Sequence, residues 1–203
     1  MATYHAIAAT SQAILRVLED ACPRAEFGSA RITFLPTLAD EEPIREGITV
    51  SLYRVAANTS RRYQPSRPRP DIPSLLSSGT KLRPALNLDL YYLITPWATN
   101  ADMQYRLLGW AMRTLDDTPI LPASLLNSFK PEPATFLPDE TVELIFDPIS
   151  LSDMGVIWEQ HKSKVGLSVT YIARMVAIDS TVEMLEARDV QTRWLELAKG
   201  PTP

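Results

Sequence analysis

The residues best suited to nucleophilic catalysis are a serine that follows a glycine and two histidines. Residues 166–168 (Gly-Leu-Ser) match the first half of the Gly-x-Ser-x-Gly turn that presents a nucleophilic serine, but the second glycine is missing. Ser168 also lies inside a predicted strand, whereas such a nucleophile needs a sharp turn between a strand and a helix. His5 and His161, the two possible bases, stand in terminal or polar surroundings. The sequence therefore predicts no catalytic triad.

Phosphate, dinucleotide and metal chemistry find equally little support. Residues 79–81 (Gly-Thr-Lys) lack the glycine spacing and the Lys-Ser/Thr pair of a phosphate-binding loop, and seven glycines in 203 residues leave no dinucleotide fingerprint. The single cysteine, Cys22, cannot form an internal disulfide, nor a zinc site with only two histidines. The adjacent acids at 116–117 and 40–42 are typical of helix ends and solvated loops. These residues give no support for a catalytic, cofactor-binding or metal site, and we predict none.

Residues 54–83, called the basic segment below, carry most of the charge asymmetry of the chain. They contain one acid, Asp71, and seven basic residues: Arg54, Arg61, Arg62, Arg67, Arg69, Lys81 and Arg83. The segment has a net charge of +6 in a chain of net charge −4, so the remainder carries −10. Such a distribution suits self-association or docking of a partner, and a solvated basic loop is the alternative.

Two binding interpretations of the basic segment remain open. Arginines interleaved with Tyr63 suit contacts with phosphates and stacked bases, although the pI of about 5.3 disfavours a nucleic-acid partner. Pro65-x-x-Pro68 fits the spacing of a polyproline ligand. Either interpretation would make the protein a soluble adaptor that binds a peptide or nucleic acid through residues 54–83.

Length and composition favour one soluble globular domain. With 203 residues, 45% hydrophobic and 22% charged, the chain can bury about 70% of the surface it exposes when unfolded. No run approaches the roughly 20 apolar residues of a membrane span, and the N-terminus lacks the pattern of a signal peptide. We expect synthesis in the cytoplasm.

Hydrophobic periodicity predicts an α/β (α+β) domain whose mostly antiparallel or mixed sheet of about four or five strands is flanked by helices. Apolar alternation indicates strands at 31–35, 48–55, 86–95, 141–146 and 167–178, with Pro96 ending the third. Spacings of three and four indicate a first helix of about 18 residues, then helices at 100–116 and around 122–129, and one capped by Ser150 or Ser152.

The domain is expected to span residues 1–179, with a Pro/Arg-rich loop at 58–83, and residues 180–203 form a C-terminal tail. The tail pattern fits either a helix or an extended arm. Trp110 and Trp158 fit apolar helix stripes and are predicted core residues, whereas Trp194 in the tail is the better interface candidate.

Several segments, in order along residues 4–179, resemble one family. Pro84 to Thr95 (PALNLDLYYLIT) resembles its most recognisable motif, and residues 47–55 followed by Asn58 resemble an earlier strand and turn. The remaining segments are 106–109, 113–119, Leu151-Ser152 with Trp158, 167–171 and 176–179. Two departures are Tyr91, where a histidine is common, and Gly155 within the closing helix. The family is the tail-terminator, or cap, protein of phage-tail-like extracellular contractile injection systems.

The resemblance implies a structural protein that terminates and caps the inner tube and the surrounding sheath, as a hexameric ring and without catalysis. Its partners would be other copies of the chain and the tube and sheath proteins, with neither membrane nor nucleic acid expected, in a particle that can be released from the cell. The expected interface residues are Arg54, Asn58, Arg61, Arg62, Arg67, Arg69 and Trp194.

Overall fold

The computed structural model of the chain describes residues 2–28, 30–35, 44–61, 82–129, 134–160 and 166–184. The helices of these ranges are α1 (Ala6–Ala21), α2 (Arg24–Phe27), α3 (Ala101–Asp116), α4 (Ala123–Leu126), α5 (Leu151–Gln160) and a 3₁₀ turn at Thr59–Arg61. The strands are β1 (Arg31–Phe34), β2 (Gly47–Ala57), β3 (Leu86–Trp97), β4 (Ile120–Pro122), β5 (Thr141–Phe146) and β6 (Val169–Ile178).

The six strands form a single mixed sheet in the order β1-β2-β3-β6-β5-β4. β1 pairs parallel to β2, and every other neighbouring pair is antiparallel. The predicted fold class, a mixed sheet flanked by helices, is confirmed. The expected number of four or five strands was wrong because β4 has only three residues, ends on Pro122 and shows no alternating pattern of its own.

One face of the sheet is covered by α1 and α3, which form the main core layer. Apolar side chains recur every three or four residues in both helices, so each helix buries one stripe. The buried stripes include Ala6, Ala13, Ile14 and Leu18 of α1 and Leu107, Ala111 and Leu115 of α3. Of the two caps that the sequence allows for α3, Thr99 and Asn100, Asn100 fills the role: its Oδ1 accepts the Met103 N–H at 2.7 Å. Trp110 packs against this core.

A buried hydroxyl pair joins α1 to the middle of the sheet. The hydroxyls of Ser11 and Tyr92 are 2.8 Å apart, and Ser11 also donates to the Ile7 carbonyl. The Tyr92 hydroxyl therefore donates to Ser11, which satisfies both buried groups. Burial raises the pKa of Tyr92 well above its usual value, so this phenol stays protonated.

The other face of the sheet is covered in part by α5. Ile157 of α5 packs against Leu93 of β3, and Met154 and Trp158 join the same cluster. Of the two predicted caps, Ser150 fills the role: its Oγ accepts the Asp153 N–H at 3.1 Å. Trp158 thus contacts the core as predicted, through this second, smaller cluster.

Two predicted element ends differ from the structure because of proline. Pro96 does not end β3, which continues to Trp97. β6 begins opposite Ile94, so no β6 residue requires an N–H from Pro96. Pro122 closes β4 rather than lying inside a helix, and α4 is correspondingly short. Across the part of the chain that the structure describes, no helix is long and apolar enough to cross a membrane.

Candidate functional site

A β-bulge in β2 gathers charged and aromatic side chains on the open part of the α5 side of the sheet. Leu52 pairs with Tyr92 and Arg54 with Tyr91, so Tyr53 is an extra residue in β2. A bulge of this kind turns two successive side chains toward the same face. The Arg54 guanidinium carbon consequently lies 4.8 Å from the centre of the Tyr91 ring. The centres of the Tyr53 and Tyr91 rings are 6.2 Å apart.

This cluster combines one cation, Arg54, with the nearby carboxylate of Asp147. Stacking of Arg54 on Tyr91 is a cation–π contact worth about 0.5–1 kcal/mol at an exposed position. Burial raises the pKa of Tyr53, and the nearby carboxylate of Asp147 raises it further, while Arg54 opposes them. The cluster is a cation held on an aromatic platform, with carboxylates nearby. Such a cluster suits contact with the surface of another protein rather than proton transfer.

A second bulge, in β6, places a backbone donor beside Asp89. Leu88 pairs with Val176 and Leu90 with Ala173, so Asp89 alone faces Arg174 and Met175. Met175 has a φ of 64°, in the left-handed region that non-glycine residues rarely occupy. Its N–H donates to Asp89 Oδ1 at 3.2 Å. The carboxylate of Asp89 therefore helps to hold the bulge in an unfavourable conformation.

Asn58 connects this bulge to the start of the long loop. Its Nδ2 donates to both carboxylate oxygens of Asp89, at 3.0 and 3.1 Å, and its Oδ1 accepts the Ser60 N–H at 2.9 Å. Its own N–H donates to the Asn87 carbonyl at 2.8 Å. Asn58 is 8% exposed, so its side chain is occupied within the chain. We call Asn58, Asp89 and the Met175 N–H the anchor.

The described residues on the two sides of positions 62–81 lie at the same end of the sheet. Leu82 is 2% exposed and forms an antiparallel bridge with Glu183 beyond β6, and the Arg83 N–H donates to the Val182 carbonyl at 2.9 Å. Ala2 forms a parallel bridge with Ile178. Residues 57–58, 82–83 and 182–183, together with Ala2 ahead of α1, therefore meet at one end of the sheet, called the basic end below.

The predicted interface residues divide between the basic end and the undescribed part of the chain. Arg54 is exposed and stacked, Asn58 is buried in the anchor, and Arg61 ends the 3₁₀ turn. The other four, Arg62, Arg67, Arg69 and Trp194, lie outside the described residues. Sequence reasoning missed the bulge at Met175 and the pairing of Asn58 with Asp89. Only the alternation of β3, which placed Asp89 and Tyr91 on one face, pointed toward them.

The described residues that were considered for catalysis make structural contacts instead. The Ser168 hydroxyl is buried, lies 3.0 Å from the Thr95 hydroxyl and donates to the Gly166 carbonyl at 2.9 Å. His5 stacks on Tyr4, with ring centres 4.0 Å apart, and His161 lies outside the described residues. Among the described residues, no three His, Cys, Asp or Glu side chains gather as metal ligands would.

The fold is similar to that of two solved assembly proteins. One is the PVC sheath/tube terminator of an extracellular contractile injection system in the extended state, with 16% identity, a TM-score of 0.56, 95% of this chain covered and 65% of that chain. The other is the tube-terminating cap of the anti-feeding prophage, with 17% identity, a TM-score of 0.52, 88% of this chain covered and 59% of that chain. The fold is thus of the class found in these terminators.

A family model described as the Pvc16 N-terminal domain matches residues 9–192. The chain belongs to this family, which confirms the resemblance inferred from its motifs. It spans slightly less than two thirds of the length of the two solved terminators. No curated protein matches the chain.

Proposed function

We propose that this protein terminates and caps the inner tube and the surrounding sheath of a phage-tail-like contractile injection system. The observation that carries the proposal is the family match over residues 9–192, on a fold similar to that of two terminators. The site supports it as well, since an exposed cation on an aromatic platform beside a long charged segment suits protein docking. The role is structural and requires neither catalysis nor a cofactor.

The proposed assembly is a hexameric ring that binds tube and sheath proteins. A cyclic ring with more than two subunits uses heterologous contacts, so each subunit needs two different, complementary surfaces. The charge division of the chain, +6 in residues 54–83 against −10 elsewhere, is a source of such complementarity. The protein would be made in the cytoplasm and leave the cell as part of the particle.

The test of this function is the mass of the assembled protein. Light scattering of the purified chain, alone and with the cognate tube and sheath proteins, should give a ring of about six times the 22.7 kDa subunit mass. Electron microscopy should place the ring at tube ends. A chain that stays monomeric and ignores both proteins would contradict the proposal and favour the adaptor alternative.

Charge reversal in the basic segment should weaken the assembly. The proposed interface comprises Arg54, Asn58, Arg61, Arg62, Arg67, Arg69 and Trp194, with Asn58 acting through the anchor. For Arg61→Glu with Arg62→Glu we expect roughly a tenfold higher concentration for half-assembly, because like charges replace opposite ones. Light scattering across a concentration series measures this shift.

The matched control for that reversal is Arg31→Glu with Arg45→Glu. It makes the same charge change at two exposed arginines near the opposite end of β2 and should leave assembly unchanged. If both double variants assemble like the wild type, the basic segment is not part of the interface.

Removal of the tail should separate folding from sheath binding. Val182 and Glu183 pair with Arg83 and Leu82, so truncation after Asp179 would uncover Leu82 and cost about 1–2 kcal/mol. Truncation after Met184 keeps this bridge. We expect it to preserve the unfolding midpoint and to weaken sheath binding, because residues 185–203 are proposed to act as an arm that adds to a sheet edge. Co-sedimentation with sheath protein measures binding, and loss of folding would instead make the tail part of the core.

A further inference from the structure

One short contact joins the tail to the end of the basic segment. The Arg83 N–H donates to the Val182 carbonyl at 2.9 Å, and Leu82 forms an antiparallel bridge with Glu183. Leu82 is 2% exposed, whereas Val182 is 48% exposed. We call this pairing the clasp. It connects two parts of the chain that the proposed function assigns to different partners: the basic segment to the next subunit, and the tail to the sheath.

The clasp can open without disrupting the sheet. It is an isolated bridge beyond the end of β6, whereas β3 pairs with β6 from Leu86 to Ile94. Short peripheral pairings of this kind open at a lower free energy than central strands do. Opening would break the hydrogen bond of the Arg83 N–H and uncover the Leu82 side chain. The clasp is therefore an element with a closed and an open state, which two sites need in order to influence each other.

Both proposed partners favour the closed clasp. Sheath protein that holds the arm restrains Glu183 and its neighbours, and a subunit that holds the basic segment restrains Arg83. Each restraint removes conformational freedom that closing the clasp otherwise has to remove, so the second partner binds at a smaller entropic cost. The start of the basic segment is held without the tail, because the anchor joins Asn58 to Asp89. Its end is held by the tail, through the clasp.

We propose that the clasp couples sheath binding to ring formation, so that a tail held by sheath protein lowers the concentration at which the subunits form a ring. The inference rests on the proposed function and adds how its two contacts communicate. The coupling is reciprocal, since a ring must then bind sheath protein more tightly than a free subunit does, by the same factor. Rings consequently form at lower concentrations on the end of a sheath than free in solution.

A disulfide across the clasp tests the coupling. Leu82→Cys with Glu183→Cys joins two residues that lie opposite each other in an antiparallel bridge, a spacing that a disulfide can span, and Cys22→Ala removes the one native cysteine. The oxidised protein has a permanently closed clasp. Light scattering should show that it forms rings without sheath protein at a roughly tenfold lower concentration than the same protein after reduction. Sheath protein should lower this concentration for the reduced protein and hardly change it for the oxidised one.

Hydrogen exchange of the wild type tests the coupling without substitutions. The Arg83 amide should exchange faster than the amides in the middle of β3, and sheath protein should slow its exchange roughly tenfold because it keeps the clasp closed. The matched control is the chain truncated after Met184, which keeps the clasp and lacks the arm. Sheath protein should change neither its exchange at Arg83 nor its ring formation.

Two results would overturn the coupling and leave the proposed function in place. One is ring formation at the same concentration by the oxidised and the reduced protein. The other is exchange at Arg83 that sheath protein does not slow, although the sheath protein binds. If the wild type neither forms rings nor binds sheath protein, the proposed function is wrong and the coupling is wrong with it.

Discussion

Replacing Gly47 by alanine should destabilise the protein by about 3 kcal/mol or more. Gly47 has a φ of 145°, a conformation that side chains disfavour, and it lies at the first pair of the parallel β1–β2 ladder. A Cβ there would lie 1.9 Å from the Arg31 carbonyl oxygen and 2.6 Å from the Arg31 nitrogen. Both are backbone atoms of β1, so the strand itself must move. Urea unfolding followed by circular dichroism measures the loss.

The matched control for Gly47 is a glycine in an open position. Gly109 lies in the middle of α3, and a Cβ there would meet no heavy atom within 4 Å. Gly109→Ala should therefore stabilise the protein by about 0.5–1 kcal/mol, because glycine is costly inside a helix. If Gly47→Ala unfolds at the wild-type urea concentration, the close approach of β1 to β2 is wrong.

Local patterns were enough to predict the regular part of this fold. The first helix, the helix that begins after Asn100 and the long strand β3 each carry a clear apolar period with a cap or a proline nearby. These signals lie within the element itself and need no knowledge of its neighbours. The sheet order and the short strand β4 depend on contacts between distant segments, which periodicity does not encode.

The site was harder to predict than the fold because its geometry depends on bulges. Arg54 was chosen for its charge, but its stacking on Tyr91 arises from the extra residue Tyr53 in β2. No residue type marks a bulge at Tyr53, and Met175 is not a residue that suggests a left-handed conformation. Asn58 was recognised only as part of a family motif, and its partner Asp89 is 31 residues further along the chain.

The anchor fixes the residues of the basic segment that directly follow β2. Asn58 and Asp89 hold the part of the basic segment that leads up to Arg61, and the bridge between Leu82 and Glu183 holds its last residues. An interaction surface that uses the basic segment gains affinity when the segment starts from a fixed root, since less freedom is lost on binding. Damage to the anchor should therefore reduce both stability and assembly.

Asp89→Ala should destabilise the protein by about 2–3 kcal/mol, because it removes a charged acceptor from three hydrogen bonds. It leaves the Asn58 amide and the Met175 N–H without their acceptor, and Met175 loses a contact that helps to hold its positive φ. Urea unfolding measures the free energy, and amide hydrogen exchange should be faster at Ser60 and Met175. We expect the effect on assembly to follow from the loosened root of the basic segment.

A double-mutant cycle separates the anchor from a general loss of packing. Asn58→Ala removes the amide that Asp89 accepts from, so the two residues act as one unit. The double variant should cost little more than Asp89→Ala alone, which corresponds to a coupling energy of about 1–2 kcal/mol. Additive losses would mean that the two side chains stabilise the fold independently. In that case Asn58 would not be the residue through which Asp89 positions the basic segment.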